Sequence, residues 1–321
     1  MEGFGVISRG KELAVKLLGR WGMMTRRDFV RGSGLGLGAM VLPAFGRDGG
    51  GEEQVALFTK HLQGLPADRL GAAVRESGFS WIEAPVRPGG HVEPERVEED
   101  LPRFVETLRK EGVGVSVLTS AINSTDGVQH GEKVLRVARG LGIKRYRMGW
   151  YRYDVKRSMW EQLDGFKPML RDLVQMSGEI GVLPCYQNHS GAGYAGAAIW
   201  DVAYLMRDFR ADQLAWCFDI MHATIEGGLS WPAEVALVRD RIGVAYFKDF
   251  QWADRGIKVC PLGEGRVDRG YLRGLIGGGY GGPFSVHVEY LKGNAKDPEF
   301  LKLAIESARR DLEVFKKWRG A

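Results

Sequence analysis

Five of the six histidines in this sequence lie in short polar segments, each of which follows a run of β-forming residues. Imidazoles, carboxylates, an ammonium group and a carboxamide would then meet in one small space. Such a cluster is costly to bury unless a cation or a polyhydroxylated ligand satisfies it, so the sequence predicts a ligand site. The candidate residues are Lys60, Glu83, Arg147, Gln187, His189, Asp219, His222, Tyr246, Lys248, His287 and Glu289.

These residue types suit the movement of a proton on a carbon next to a carbonyl group. That reaction needs a base, an acid or a proton relay, and an electrophile that stabilises the enediolate oxygen. Glu289 is the best candidate for the base, and His222 or Lys248 for the donor to the oxygen. A cation held by Asp219 and Glu289 would be the electrophile. The alternative is that these two carboxylates form a structural ion pair with Lys248.

The elements that must position these residues repeat along the chain. From residue 55 onward, short β-rich runs alternate with longer amphipathic runs, the pattern of parallel strands joined by helices. Eight such units predict a (β/α)8 TIM barrel, in which the active site lies at the carboxyl ends of the strands. The predicted strands span residues 55–59, 79–84, 113–119, 145–151, 181–187, 213–220, 243–250 and 284–290. The predicted helices span residues 66–77, 94–111, 128–140, 158–179, 198–208, 231–241, 268–277 and 298–318.

Alternation along each strand indicates which side chains face the barrel axis. The sets predicted to share the inward face are Cys185 with Gln187 and His189, Cys217 with Asp219, Tyr246 with Lys248, and His287 with Glu289. The three cysteines are too few for a disulfide scaffold and include no close-spaced pair of zinc-ligand type. We therefore expect Cys185 and Cys217 to pack as inert thiols.

Composition and charge exclude several classes of function. Hydrophobic residues make up 44% of the chain and charged residues 26%, which is ordinary for a globular protein. Residues 1–46 hold seven basic side chains against three acidic ones, so the rest of the chain is nearly neutral and nucleic-acid binding is not expected. No glycine-rich dinucleotide motif follows the first strand and no phosphate-binding loop motif occurs, so no nucleotide cofactor is expected.

The N-terminal segment has the layout of a signal peptide. Paired arginines, Arg26 and Arg27, precede a weakly apolar, glycine-rich run that ends in small residues near Gly46. This layout resembles the bacterial twin-arginine signal, which implies the export machinery as a partner and a periplasmic or cell-envelope location without a stable membrane span in the mature form. The alternative is a short buried helix. Residues 1–46 are thus predicted as the signal, 47–53 as a flexible tether and 54–321 as the barrel domain, and Met1, Met23 and Met24 are all candidate starts.

Six short motifs, in their order along the chain, carry a family resemblance. They are residues 58–62, 86–92, 218–222, 247–249, 261–265 and 286–289. The chain after the signal resembles the sugar phosphate isomerase/epimerase family, which has a xylose-isomerase-like barrel. In the epimerases of that family, a divalent metal is held by Glu on strand 5, Asp on strand 6, His on strand 7 and Glu on strand 8. The two glutamates also act as acid and base, and a His three residues after the Asp binds substrate.

Carried over position by position, the resemblance implies the following roles. Asp219, His222 and Glu289 match the family pattern, whereas Gln187 replaces the strand-5 Glu and Tyr246 replaces the strand-7 His. A glutamine cannot abstract a proton, and a neutral tyrosine is a poor metal ligand. The implied metal ligands are Asp219, Glu289 and Gln187, for Mn, Mg, Zn or Co. The substrate-binding candidates, chosen for their positions at the strand ends, are Lys60, Glu83, Arg147, His189, Tyr246 and His287. Among them, His189 and His287 are imidazoles that could replace the lost ligand or base.

The leading hypothesis is an exported isomerase or epimerase that acts on a small-molecule carbohydrate or a sugar-derived keto compound, with an atypical divalent metal site. One alternative is a carbohydrate-binding barrel that has lost catalysis through the changes at Gln187 and Tyr246. Aromatic side chains near the strand ends, among them Trp150 and Trp252, would suit stacking on a sugar face. The other alternative is a lyase or hydrolase that acts on modified glycosides.

Overall fold

The computed structural model describes residues 53–320, and its core is a closed barrel of eight parallel strands. The barrel strands are β1 (Val55–Phe58), β2 (Trp81–Pro85), β3 (Gly114–Thr119), β4 (Arg145–Arg147), β5 (Leu183–Gln187), β6 (Ala215–Asp219), β7 (Ile242–Phe247) and β10 (Phe284–His287). They follow chain order around the barrel, and β10 closes it by pairing with β1, where Phe58 lies opposite His287. The prediction of a (β/α)8 TIM barrel is confirmed.

Nine α-helices of the described chain alternate with these strands. They are α1 (Ala67–Glu76), α2 (Val97–Lys110), α3 (Gly131–Gly140), α4 (Met159–Ile180), α5 (Trp200–Met206), α6 (Ile220–Gly227), α7 (Trp231–Val238), α8 (Gly270–Gly277) and α9 (Pro298–Arg319). Their apolar faces pack with the strands in one large core; Leu101 and Leu108 of α2, for example, are fully buried there. Burial of these faces, rather than helix propensity alone, holds the helices in place.

A smaller apolar cluster fills the inside of the barrel. Its members are Val117, Cys185, Ala215, Cys217, Val244 and Tyr246. Cys185 and Cys217 precede Gln187 and Asp219 by two positions on their strands, so this cluster forms the layer beneath the predicted site. All three cysteines are buried and free. Burial raises the pKa of the Cys217 thiol well above its ordinary value, which keeps it protonated and unreactive.

The barrel strands are shorter than predicted, and three elements at their carboxyl ends were not predicted. β4 ends at Arg147 instead of residue 151, and β6 ends at Asp219, where α6 begins at once. That helix forms because Asp219 caps it: the carboxylate accepts hydrogen bonds from the backbone N–H groups of Met221 and His222. After β7, strands β8 (Asp249–Trp252) and β9 (Ile257–Cys260) form a separate antiparallel hairpin.

The loop after this hairpin is organised around one buried carboxylate, Asp249. It accepts hydrogen bonds from the backbone N–H groups of Phe250, Gly263, Gly265 and Val267 at 2.9–3.1 Å. The sequence pattern at residues 247–249 and 261–265 is thereby explained as a structural unit. Glu264, in the same loop, does not share this role: its side chain is exposed and forms an ion pair with Arg310.

Two predictions about the N-terminus lie outside the described residues. The signal segment 1–46 is one, and the tether 47–53 is the other except for its last residue. Within residues 53–320, none of the helices is both long enough and apolar enough to cross a membrane.

Candidate active site

The centre of the site is the ammonium group of Lys248, which lies between two carboxylates. Its Nζ atom is 2.7 Å from Glu289 Oε2 and 3.0 Å from Asp219 Oδ2. Burial on its own would lower the pKa of Lys248, but the charges of Asp219 and Glu289 outweigh burial and raise it. The two carboxylates therefore converge on one cation, and this cation belongs to the protein.

Asp219 is saturated with hydrogen-bond donors. Oδ1 accepts from the N–H groups that begin α6, and Oδ2 accepts from Gln187 Nε2 at 2.9 Å as well as from Lys248. Burial would raise the pKa of Asp219, but the charge of Lys248 outweighs burial and brings it down to about 2. Such a carboxylate stays ionised and holds its neighbours in place, which makes it a poor proton acceptor.

Gln187 is oriented by its neighbour on β4. Arg147 Nη1 donates to Gln187 Oε1 at 3.1 Å, so the amide NH2 group of Gln187 points to Asp219. The guanidinium of Arg147 also lies 4.3 Å from the ring centre of Trp150, whose Nε1 donates to the backbone carbonyl of Gln187. Arg147, Gln187, Asp219 and Lys248 thus form one buried chain of polar contacts across strands β4 to β7.

Two imidazoles stand beside this chain with opposite tautomers. Ser190 donates to His222 Nδ1 from its backbone N–H at 3.2 Å, which places the proton of a neutral His222 on Nε2. His189 Nδ1 lies 3.1 Å from the Ser190 carbonyl oxygen, an acceptor, so its proton is on Nδ1 and its Nε2 has a free lone pair. Burial, followed by the charge of Lys248, lowers the pKa of both rings and keeps them neutral.

A second polar layer lies deeper in the barrel, around Glu83. This fully buried carboxylate accepts from Tyr246 Oη at 2.7 Å and from Thr119 Oγ1, and its Oε2 is 3.4 Å from His287 Nε2. Burial would raise the pKa of Glu83, but the nearby imidazole of His287 lowers it. The carboxylates of Glu289 and Glu83, 3.8 Å and 3.4 Å from its ring nitrogens, raise the pKa of His287 against the effect of burial.

Glu289 is the site carboxylate that a ligand can reach. Its side chain is 21% exposed, whereas those of Glu83 and Asp219 are fully buried. The exposed Lys60 approaches Glu289 Oε1 at 3.1 Å. Burial would raise the pKa of Glu289, but the charge of Lys248 outweighs it and holds the pKa well below the ordinary range.

A family model described as a xylose isomerase-like TIM barrel matches residues 72–318, most of the chain. The chain belongs to this family. In a TIM barrel the active site lies at the carboxyl ends of the strands, which is where the polar cluster lies here. No curated protein sequence matches the chain.

Solved structures of the same barrel include two epimerases. D-psicose 3-epimerase from Clostridium cellulolyticum H10, with D-tagatose, has a TM-score of 0.62 at 11% identity and covers 83% of this chain and 99% of that chain. 3-Keto-D-glucoside 4-epimerase from E. coli, in its apo form, has a TM-score of 0.60 at 13% identity over 83% and 100%. A xylose isomerase-like TIM barrel protein from Mycobacterium smegmatis, in complex with magnesium, has a TM-score of 0.60 at 16% identity over 83% and 98%. At these identities the likeness shows the fold.

The residues at the family's metal positions do not fit a resident divalent ion in this protein. Gln187 has its oxygen engaged by a guanidinium, and the hydroxyl of Tyr246 donates to another carboxylate. The remaining two positions, Asp219 and Glu289, already share the ammonium of Lys248. Within residues 53–320, no three His, Cys, Asp or Glu side chains form a group that could hold a metal ion.

The structure brings the predicted site residues together in two layers. The upper layer holds Lys60, Arg147, Gln187, His189, Asp219, His222, Lys248 and Glu289, and the deeper layer holds Glu83, Tyr246 and His287. Two further residues were missed. Ser190 follows a predicted site residue directly, and Arg87 lies in the polar loop after β2. Its position in a polar loop at the carboxyl end of a strand could have identified Arg87 as a site residue from the sequence.

Arg87 differs from the other cations of the site because, within residues 53–320, its guanidinium makes no hydrogen bond or ion pair. It is half-buried, and its charge interacts with those of Arg147, Glu83 and Glu289. Burial, followed by the charge of Arg147, lowers the pKa of Arg87, although it stays protonated. Five unused N–H donors at the mouth are suited to the oxygens of a ligand.

Proposed function

We propose that the protein is an isomerase or epimerase that moves a proton on a carbon next to the carbonyl group of a sugar or a sugar-derived keto compound. The observation that carries the proposal is one reachable carboxylate, Glu289, placed 2.7 Å from a buried ammonium, Lys248. A base and an electrophile are thereby held side by side. Membership of the xylose isomerase-like family supports an activity of this class.

The proton acceptor in this proposal is Glu289. At rest its basicity is weak, because Lys248 and Lys60 both bind its oxygens. When a substrate loses its proton, negative charge develops on the carbonyl oxygen and draws the ammonium of Lys248 toward it. The ion pair between Lys248 and Glu289 then weakens, and the pKa of Glu289 rises as the proton arrives. The base and the electrophile therefore act together.

His222 donates to the same developing oxygen. Its Nε2–H is buried and has no hydrogen-bond partner among the described residues. A neutral imidazole with its N–H aimed at a site can stabilise an enediolate oxygen without a change of its own charge. Asp219 Oδ2 is 3.6 Å from this Nε2, too far for a good hydrogen bond.

The same geometry favours isomerisation by a single base over epimerisation by two carboxylates. Glu289 removes the proton from one carbon and returns it to the neighbouring carbon of the enediolate. The hydroxyl proton of the first carbon passes to the former carbonyl oxygen, and together these transfers interconvert an aldose and a ketose. Epimerisation needs a second base on the opposite face of the substrate, and Gln187 cannot be that base. The free Nε2 lone pair of His189 is the available substitute.

We propose further that the protein is exported to the periplasm or cell envelope by the twin-arginine machinery. The support is the sequence alone: Arg26 and Arg27 before a glycine-rich, weakly apolar run. A substrate met outside the cytoplasm would be a free sugar or a keto derivative of one rather than a phosphorylated intermediate.

The proposed function is tested by incubating the protein in deuterated water with a panel of aldoses, ketoses and 3-keto sugars. Mass spectrometry and NMR then report deuterium on the carbon next to the carbonyl. Glu289→Gln should slow this exchange by a factor of about 10² to 10⁴, the usual contribution of a general base.

The matched control is Glu264→Gln, because the side chain of Glu264 is exposed and pairs with Arg310. Its contact with Gln251 is made by the backbone carbonyl, which the substitution leaves in place. This control should exchange like the wild type. A sugar that binds, as shown by calorimetry, yet exchanges no proton would contradict the isomerase proposal and favour the carbohydrate-binding barrel.

A further inference from the structure

We infer that Lys248 is the resident cation of this active site, and that its ammonium group takes the place of a divalent metal between Asp219 and Glu289. The part of the inference that concerns catalysis rests on the proposed function, and the part that concerns occupancy of the site does not. Both parts start from the 2.7 Å and 3.0 Å contacts of Nζ with the two carboxylates.

Space is the first argument. An ion that bound both carboxylates would need its own oxygen contacts of about 2.0–2.6 Å, and the point between Asp219 and Glu289 already holds a buried nitrogen. The Lys248 side chain is 4% exposed, so it cannot swing into solvent without a rearrangement of its surroundings. A divalent ion would have to expel it.

Charge is the second argument. The family pattern of two Glu, one Asp and one neutral His carries three negative charges, enough for a divalent cation with charge to spare. Here Gln187 and Tyr246 are neutral, so Asp219 and Glu289 contribute two negative charges. Lys248 neutralises one, and Lys60, 3.1 Å from Glu289, neutralises the other. Asp219 and Glu289 therefore have no net negative charge that could offset the dehydration cost of a divalent ion.

The substitutions at Gln187 and Tyr246 form the third argument, because the polar groups of both side chains are engaged in contacts other than metal binding. The amide of Gln187 donates to Asp219 Oδ2, which an ionised glutamate cannot. The hydroxyl of Tyr246 donates to Glu83 in the deeper layer and does not face the pair of carboxylates. Both residues therefore support an arrangement centred on Lys248.

One donor of the ammonium group remains for a ligand. An ammonium carries three N–H bonds, and Asp219 and Glu289 accept two of them. Among the described residues no third acceptor for Lys248 is present, so the remaining N–H is available to a carbonyl or enediolate oxygen. This predicts recognition of a single oxygen, in contrast to a metal that chelates two neighbouring oxygens of a sugar.

The wild-type protein provides the first test. After dialysis against excess Mn²⁺, then metal-free buffer, elemental analysis should find no stoichiometric Mn²⁺, Mg²⁺, Zn²⁺ or Co²⁺. Titration with Mn²⁺ in a calorimeter should show no saturable site, and EDTA should leave the deuterium exchange of any active substrate unchanged. One bound divalent ion per chain that Glu289→Gln abolishes would overturn the inference.

Two variants provide the second test. Lys248→Met with Gln187→Glu removes the ammonium and adds a carboxylate, so it should bind Mn²⁺ at least about tenfold more tightly than the wild type. Lys248→Met alone should lose exchange activity by about 10²-fold or more, and added Mn²⁺ should not restore it to the wild-type level. Lys258→Met, at an exposed position of β9, is the matched control and should behave like the wild type.

The outcomes separate the two proposals. If no sugar exchanges a proton, the proposed function fails, yet the Mn²⁺ titrations still decide whether Lys248 fills the site. If exchange is found and EDTA abolishes it, the proposed function stands and the inference about Lys248 fails. Circular dichroism melts show whether a variant is folded. If a variant is unfolded, the metal analysis and Mn²⁺ titration of the wild-type protein decide whether Lys248 fills the site.

Discussion

The backbone N–H of Ser190 donates to Nδ1 of His222 at 3.2 Å, and the Ser190 hydroxyl lies 2.8 Å from the same nitrogen. A backbone N–H can only donate, so this contact fixes the proton of the neutral ring on Nε2. An imidazole that sequence alone offers as either acid or base thereby becomes a hydrogen-bond donor.

The first prediction tests that donor. His222→Ala should lower kcat for proton exchange by about 10²-fold, the scale of one lost oxyanion donor. His222→Gln should keep more activity than His222→Ala, because a glutamine amide can place an N–H near the position of Nε2. Steady-state kinetics measure both variants, and equal losses would mean that the donor role is absent.

The second prediction concerns Glu83 beneath the site. Glu83→Ala should destabilise the fold by about 3–5 kcal/mol, because it leaves the buried His287 and two hydroxyl groups without their shared acceptor. Glu83→Gln should cost less, since its carbonyl oxygen can still accept from Tyr246. Urea unfolding measures these differences, with the exposed Glu106→Gln as the control. Equal stability of Glu83→Ala and the wild type would contradict the buried network.

The barrel and the inward face of the site were predictable because both follow from patterns within short segments. These patterns are the alternation of strands with helices and the alternation of side chains along each strand. Alternation along the strands places Gln187, Asp219, Lys248 and Glu289 on the inward face, whatever their partners are. Strand ends were less predictable: Asp219 ends β6 because its side chain caps α6, a role that competes with continued strand pairing.

The pairing of the polar groups was not predictable from the sequence. Tyr246 donates to Glu83, which is 163 positions earlier in the chain, so its partner is decided by barrel closure. The amide of Gln187 has two orientations of similar intrinsic energy, and Arg147 selects one. Whether Asp219 and Glu289 hold a metal or an ammonium depends on such choices, which no residue type reveals alone.

The third prediction assigns ligand binding to Arg87. Arg87→Gln should raise KM by about tenfold with little change in kcat, because the guanidinium at the mouth would contact the ligand equally in its ground and transition states. Arg136→Gln removes an exposed guanidinium of α3 that pairs with Glu132, and it should change neither constant. A fall in kcat without a change in KM would show that Arg87 acts on the reacting atoms instead.

The fourth prediction concerns export. Changing Arg26 and Arg27 to Lys should leave the protein in the cytoplasm, because the twin-arginine receptor reads the paired guanidinium groups. Cell fractionation and mass measurement of the exported wild type would show the location and the loss of residues up to about Gly46. Changing Arg47 to Lys, beyond the motif, is the control. Unimpaired export of the double variant would contradict the signal assignment.

The last prediction follows from the depressed pKa of Asp219. This carboxyl has a pKa of about 2 in the folded protein against an ordinary value of 3.8, because Lys248 and its other partners outweigh burial. A lowered folded-state pKa stabilises the fold fully above pH 4, and the contribution, about 2 kcal/mol, is lost as the pH falls toward 2. Asp219→Asn removes this titration but keeps an oxygen to cap α6. Urea unfolding at a series of pH values should therefore show a smaller loss of stability between pH 4 and 2 for Asp219→Asn than for the wild type. Asp240→Asn, an exposed change, should retain the wild-type slope, and equal slopes for all three proteins would show that Asp219 is not held ionised by Lys248.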